Sequence, residues 1–324
     1  MEVPVRSHEQ ELVDLILLAL SRNAVENGLH PIGWQTRIVK SVYFVAEELD
    51  LPITRSWFKF GAYVWTENAN EDRLSQFLGV LEPDPTINQV ISHAESDGRE
   101  IYRNVRRVID GNDFILKSST SELLEWLYQN GAPKEYRGIY TTHKKVMDRI
   151  EKVLDSVWKS DASYQFANAA KEMTDFHKRL GYFEGRPDMV DLVIDATSLL
   201  ESTLMVYESN VDNYNVLRRL ATFLGSLYHD FYLGDIWKFP ASAITLETVK
   251  GDSAESVRQG LGSYLNKLEI YRNDLDNWTE KAFIEGFYPT KADIENIQKR
   301  LSSRLASDES VLRRFVYEGL EIDR

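Results

Sequence analysis

Thr54, Arg55, Ser56 and Lys59 place hydroxyl, guanidinium and ammonium donors within six residues, interleaved with Trp57, Phe58 and Phe60. On a helix, that spacing turns the donors outward and the aromatics inward, and the donors would reach phosphates or base edges of a DNA groove. Arg103, Arg106 and Arg107 form a second basic group. With Arg99 they follow helical spacing, so one helix face would present a row of guanidinium groups as supporting phosphate contacts. Tyr102, Tyr136 and Tyr140 are interleaved with the basic stretch from Arg99 to Lys152. A solvated face whose arginines pair with nearby acids is the competing reading.

The elements that must position the first group are legible around it. Thr36 to Leu49 carries Ile38, Val42, Val45, Ala46 and Leu49 on one face, which predicts a helix. Leu51-Pro52 supplies a tight turn, and Thr54 stands where it would cap a second helix. Helix, turn and helix make a helix-turn-helix unit. Duplex DNA binding would then weaken steeply with salt, and Arg55→Ala would reduce it.

The segment GWQTRIVKSVYFVAEELDLPITRSWFKFGAYVW resembles a prokaryotic winged helix-turn-helix-like domain related to the SocA/Panacea antitoxin domains. Gly33, Thr36, Arg37, Lys40, Tyr43, Phe44, Phe58, Gly61 and Tyr63 carry the likeness. Members read Gly-x-Thr-Arg-Leu-x-Lys-Leu-Val-Tyr, then an aromatic run ending in Tyr-Gly-Pro-Tyr-Ser. Ala62 stands here in place of the proline and Val64 in place of the serine, so the turn after Gly61 differs. The resemblance covers the N-terminal quarter and implies a regulator or an antitoxin-like interaction module.

A third constellation is Tyr228-His229-Asp230, with His177 upstream and Asp274 or Asp276 downstream. Mixed imidazole and carboxylate ligands suit a divalent ion, as in metal phosphohydrolases of His-Asp type. The basic residue usual after the pair is missing, and a histidine at the end of a packed helix explains it as well. No Gly-rich phosphate loop, nucleophile elbow or Gly-x-Gly-x-x-Gly occurs, and Gly260-Leu261-Gly262 lacks a preceding strand. No catalytic residue, metal or cofactor is assigned.

Composition narrows the classes further. The 324 residues carry a net charge of −13, so a general nucleic-acid coat is excluded and any DNA contact needs a local basic patch. The absence of cysteine removes disulfides, thiolate metal sites and cysteine nucleophiles. Leu12 to Ser21 is the most apolar N-terminal run, but Asp14 cuts it and it is too short to span a bilayer. It reads as a packed amphipathic helix of a cytoplasmic protein.

Periodicity beyond the first unit is helical nearly throughout. Helices are expected over Thr86–Ile109, Ser121–Gln129, Pro133–Lys159, Ala162–Leu180, from Pro187 to Tyr207, Asn213–Tyr232, Ser253–Trp278, Thr290–Leu305 and Asp308–Glu318. The best strand candidates lie near Phe58 to Trp65 and Phe114 to Lys117. The expected fold is all-α: a winged-helix-like domain over residues 1–85, then a larger antiparallel helical bundle over 86–324, with Glu82 to Pro85 as the boundary. The expected function is a non-enzymatic regulator or interaction protein, a homo-oligomer by this reading, contacting double-stranded DNA or a protein partner and no membrane. An antitoxin-like module that binds protein alone is the alternative.

Overall fold

A computed structural model describes residues 7–30, 33–78, 80, 98–156, 162–183, 185–210, 213–293 and 295. The described residues are mostly helical, with one two-stranded sheet, so the all-α expectation holds at that level. The expected boundary at Glu82–Pro85 and the last two expected helices lie in or extend into stretches outside the described residues. Two compact units are present, one formed by Met1–Thr141 with Lys238–Lys267, the other by Thr142–Trp237 with Leu268–Arg324. The first unit thus takes in a late segment of chain that an N-terminal domain ending near residue 85 leaves out.

In the first unit, α1 (His8–Glu26) is the central rod. Ser7 and Gln10 form a capping box at its start, and Leu12, Leu15, Ile16, Ala19 and Leu20 are at most 1% exposed. The same helix buries Asp14 completely, and Arg73 answers it with paired hydrogen bonds, one of 2.7 Å from Nε to Oδ1. Arg73 comes from the short helix α3 (Glu71–Ser75), which Asn70 caps. Helix α2 (Gln35–Glu48) buries Ile38, Val42, Val45 and Ala46, matching the stripe read from sequence. Then come α4 (Gly98–Asp110), packed on α1, and α5 (Asp113–Lys117). Phe114 to Lys117 is therefore helical, not a strand. Helix α6 (Thr120–Trp126) begins on a capping box of Ser119 with Glu122 and widens into a π-turn over Leu127–Gly131.

The principal correction falls between Thr54 and Phe58, while the strand expected near Phe58 to Trp65 is present over Gly61–Val64. The expected second helix is an antiparallel hairpin of β1 (Arg55–Phe58) and β2 (Gly61–Val64), in register Arg55↔Val64 to Phe58↔Gly61. The cause lies nearly 200 residues away. Lys250 exchanges backbone hydrogen bonds of 2.9 Å with Arg55, and the hydroxyls of Thr245 and Thr248, on α11 (Lys238–Thr248), bond the backbone of Trp57. These partners satisfy the outer edge of β1, which would otherwise stand open. Gly251 makes the approach possible. Its φ is +105°, and a Cβ there would lie 2.5 Å from the Thr54 backbone.

The second unit contains the later part of α7 (Arg137–Ser156), α8 (Ala162–Leu180), α9 (Pro187–Ser209), α10 (Tyr214–Ser226) and α13 (Leu268–Ile284). Pro187 opens α9, where its missing N–H costs nothing. A π-helical stretch, Leu227–Ile236, continues α10 and buries Tyr228, Phe231 and Tyr232. His143 stacks on Trp237 with ring centroids 3.6 Å apart. The run expected as one helix from Ser253 to Trp278 is two, α12 (Ala254–Leu265) ending before α13 begins, and α12 passes through Gly260 and Gly262.

Candidate interaction site

Three of the four polar residues expected to face a ligand are internal fasteners. Thr54 is 0% exposed, Arg55 2% and Ser56 1%. The Thr54 backbone N–H donates to Glu9, and its hydroxyl accepts from Ser253 N–H at 2.8 Å. Arg55 donates to Glu47 Oε2 at 2.7 Å and to the carbonyl of Leu51 at 2.7 Å, closing the loop between α2 and β1. The Ser56 hydroxyl accepts from Trp65 Nε1 at 2.8 Å. A buried guanidinium needs every such acceptor, so Arg55 is held by the fold itself. Only Lys59, at the hairpin turn and half-buried, reaches solvent.

The aromatics divide differently from a simple inward row. Trp57 is buried and surrounded by Tyr43, Tyr128 and Tyr140, with its Nε1 donating to Tyr43 Oη at 2.8 Å. Burial raises the Tyr43 phenol to about 12, with Glu47 adding to it. Tyr140 donates to the carbonyl of Phe58 at 2.8 Å. Gly61, at φ +84°, sits so close to this box that a Cβ would lie 2.6 Å from Tyr128 Cε1. Phe60 was expected to point inward and instead is 46% exposed; Tyr63 is 38% exposed. Phe58, Tyr63 and Trp65 touch one another, with centroids 5.1 to 5.8 Å apart.

A cleft of about 280 Å³ lies between α2 and the hairpin. Gln35, Thr36, Val39 and Lys40 line it from α2, and Phe58, Lys59, Phe60 and Tyr63 from the strands and turn. Lys40 is 4% exposed and donates to the carbonyls of Phe60, at 2.6 Å, and Ala62. Burial pulls its ammonium down from 10.5 to about 7, because two carbonyl dipoles replace the water a full charge would recruit. The cleft was not singled out from sequence. Its signal was present in residues that were noted, since Lys40, Phe58 and Tyr63 belong to the pattern of the resemblance, but local spacing does not bring the turn onto α2.

The arginine row is split. Arg106 turns to α1, pairing with Glu26 at 2.8 Å and with Asp110 at 3.0 Å. Arg103 and Arg107 are exposed, and Arg103 Nε donates to the carbonyl of Arg99. Two of the three predicted phosphate contacts thus face solvent. Tyr102, Tyr136 and Tyr140 are buried, so they do not interleave with this surface.

The His-Asp constellation is partly assembled. Asp230 and Asp274 line one open cavity of about 310 Å³ with Asp235, Phe231 and Trp278. Asp276 lines a different one beside Asp195 and Arg272. His229 faces Glu151 at 3.8 Å, while His177 Nε2 lies 2.6 Å from Thr197 Oγ1 and burial lowers its proton affinity. Among the described residues, no three histidine or acidic side chains converge as metal ligands would. No helix among the described residues is long and apolar enough to cross a membrane.

No curated protein and no solved structure matches the chain. A family model described as a domain of unknown function, DUF8098, matches residues 1–309, and the chain belongs to that family.

Proposed function

We propose that this protein is a non-enzymatic interaction protein whose first unit takes a protein partner at the face formed by α2 and the hairpin. One observation carries the reading: the cleft of about 280 Å³ is flanked by Phe60 and Tyr63, 46% and 38% exposed, on a hairpin anchored from behind by Trp57. Exposed aromatics on a rigid support are the usual anchors of protein interfaces, since they bury large area at small entropic cost. Thr54, Arg55 and Ser56 are committed to the interior, which removes most of the surface that would read DNA. The resemblance to antitoxin-like modules suits a protein-binding role.

A pull-down from the native host tests this. The reading expects one stoichiometric partner, retained by the wild type and lost with Phe60→Ala. Capture that is indifferent to Phe60→Ala, or retention of duplex DNA in place of protein, overturns it. So does light scattering that shows a dimer of this chain dissociated by Phe60→Ala, because the face would then serve self-association.

A further inference from the structure

The second unit holds a cavity of different character, about 260 Å³ in volume, where α9 packs beside α13. Its floor is apolar, since Leu199 and Leu275 are each 4% exposed. Its sides are polar by helical spacing. Asp195, Ser198 and Ser202 stand at i, i+3 and i+7 on α9, and Arg272, Asp276 and Thr279 at i, i+4 and i+7 on α13. Tyr288, 37% exposed, adds an aromatic ring to the wall.

Much of the hydrogen-bonding capacity of these sides is unspent. Thr197 and Thr203, on the same helix, return their hydroxyl protons to the carbonyls of Val193 and Leu199, at 2.8 and 2.9 Å. Ser198 and Ser202 do not. Among the described residues their hydroxyls have no partner, and neither has the Asp276 carboxylate. Arg272 donates to the carbonyl of Asp188 at 3.2 Å and faces Asp195 at 3.6 Å, which leaves it further donors. Thr279 donates to the carbonyl of Leu275 at 2.9 Å and keeps its lone pairs as acceptors. A phosphate here would meet Asp195 and Asp276, and a simple cation would meet Arg272. The matching ligand is uncharged, with an apolar face for the floor and edge groups that both donate and accept. A hydroxyl does both, and a pyranose ring carries hydroxyls around its edge and C–H bonds on its faces. Its roughly dozen heavy atoms also suit a volume below that usual for larger ligands.

Going beyond the docking face of the first unit, we propose that this groove binds one neutral pyranose ring. Asp276 accepts from two neighbouring sugar hydroxyls and Arg272 donates to another oxygen. Ser198 and Ser202 complete the edge contacts, and the ring face rests on Leu199, Leu275 and Tyr288. The inference stands on the second unit alone and does not depend on what the first unit binds.

The test is an amide NMR titration of the isotope-labelled full chain with glucose, galactose and mannose, with free alanine and inorganic phosphate as charged probes. At least one sugar is expected to shift amides in residues 198–202 and 272–279. Asp276→Asn and Ser202→Ala should weaken that sugar about tenfold and about threefold, the losses typical of a charge-assisted and a neutral hydrogen bond. Neither side chain is buried, so both variants are expected to fold. Maltose and lactose identify the source of the ring. Binding as tight as that of the monosaccharides marks the end of a glycan, rejection marks the free sugar, and either supports the site. Sugar shifts of equal affinity in wild type and both variants overturn the inference, as does the absence of any shift from all three sugars at about 100 mM. Tighter binding of alanine or phosphate than of any sugar also overturns it, because the groove would then select charge.

Discussion

Lys40 Nζ donates to the carbonyl of Phe60 at 2.6 Å, so a buried lysine on α2 holds the turn of the hairpin from the side. It also donates to Ala62, and the cost of burying its charge sets a pH dependence. The Lys40 proton affinity is depressed from 10.5 to about 7 in the folded chain. Between those values the unfolded chain binds more protons, so stability rises with pH and is lost as pH falls toward 7. The effect approaches 1.36 kcal/mol per pH unit and sums to about 4 kcal/mol over the window. Urea denaturation of wild type and Lys40→Met from pH 7 to pH 9.5 should show the slope in the wild type only. Parallel curves would mean that Lys40 keeps its ordinary proton affinity.

The Asp14–Arg73 pair makes a different demand. Asp14 is 0% exposed, so removing its charge leaves Arg73 with a desolvated partner site. Asp14→Ala is expected to cost about 3 kcal/mol, and Asp14→Asn nearly as much, because the amide presents a donor to a donor. Chemical denaturation reads both. A loss below about 1 kcal/mol would place the pair among the weak surface bridges.

Gly251 is expected to tolerate no side chain. At φ +105°, with a Cβ 2.5 Å from Thr54 backbone atoms, Gly251→Ala must push Lys250 away from Arg55. A loss of at least about 2 kcal/mol follows from strain and the broken pairing. Amide exchange should quicken at Arg55, whose N–H bonds the Lys250 carbonyl. Unchanged protection there would show that the hairpin does not depend on the returning segment.

Arg55→Ala separates the two functional readings. It is expected to destabilise by about 3 kcal/mol, since the carbonyls of Leu51 and Ile53 lose the Arg55 donor and Glu47 keeps only Lys250. Phe60→Ala, at 46% exposure, should leave the melting temperature within about 2 °C of wild type while abolishing partner capture. An Arg55→Ala variant of unaltered stability but weaker salt-dependent DNA binding would restore the nucleic-acid reading.

Much of the helical scaffold was readable because its causes are local. The stripe of α2 and the opening Pro187 of α9 each depend on neighbours within about one turn. The stretch from Thr54 to Phe58 was misread because its local features, a capping threonine and aromatics at mixed spacing, also suit a helix. Its strand conformation rests on Lys250, Thr245 and Thr248. The candidate cleft was hidden for the same reason, since Phe60 looks like a core residue until the turn is placed.

Residue content and periodicity establish a cysteine-free, acidic, mainly helical chain and the inward faces of several helices, because both can be read from the order of neighbouring residues. Long-range packing is what makes Thr54, Arg55 and Ser56 fasteners, leaves Phe60 exposed and buries Lys40 beside it. Those outcomes depend on hydrogen-bond partners and desolvation supplied by segments distant along the chain, and no local pattern encodes which distant segment arrives.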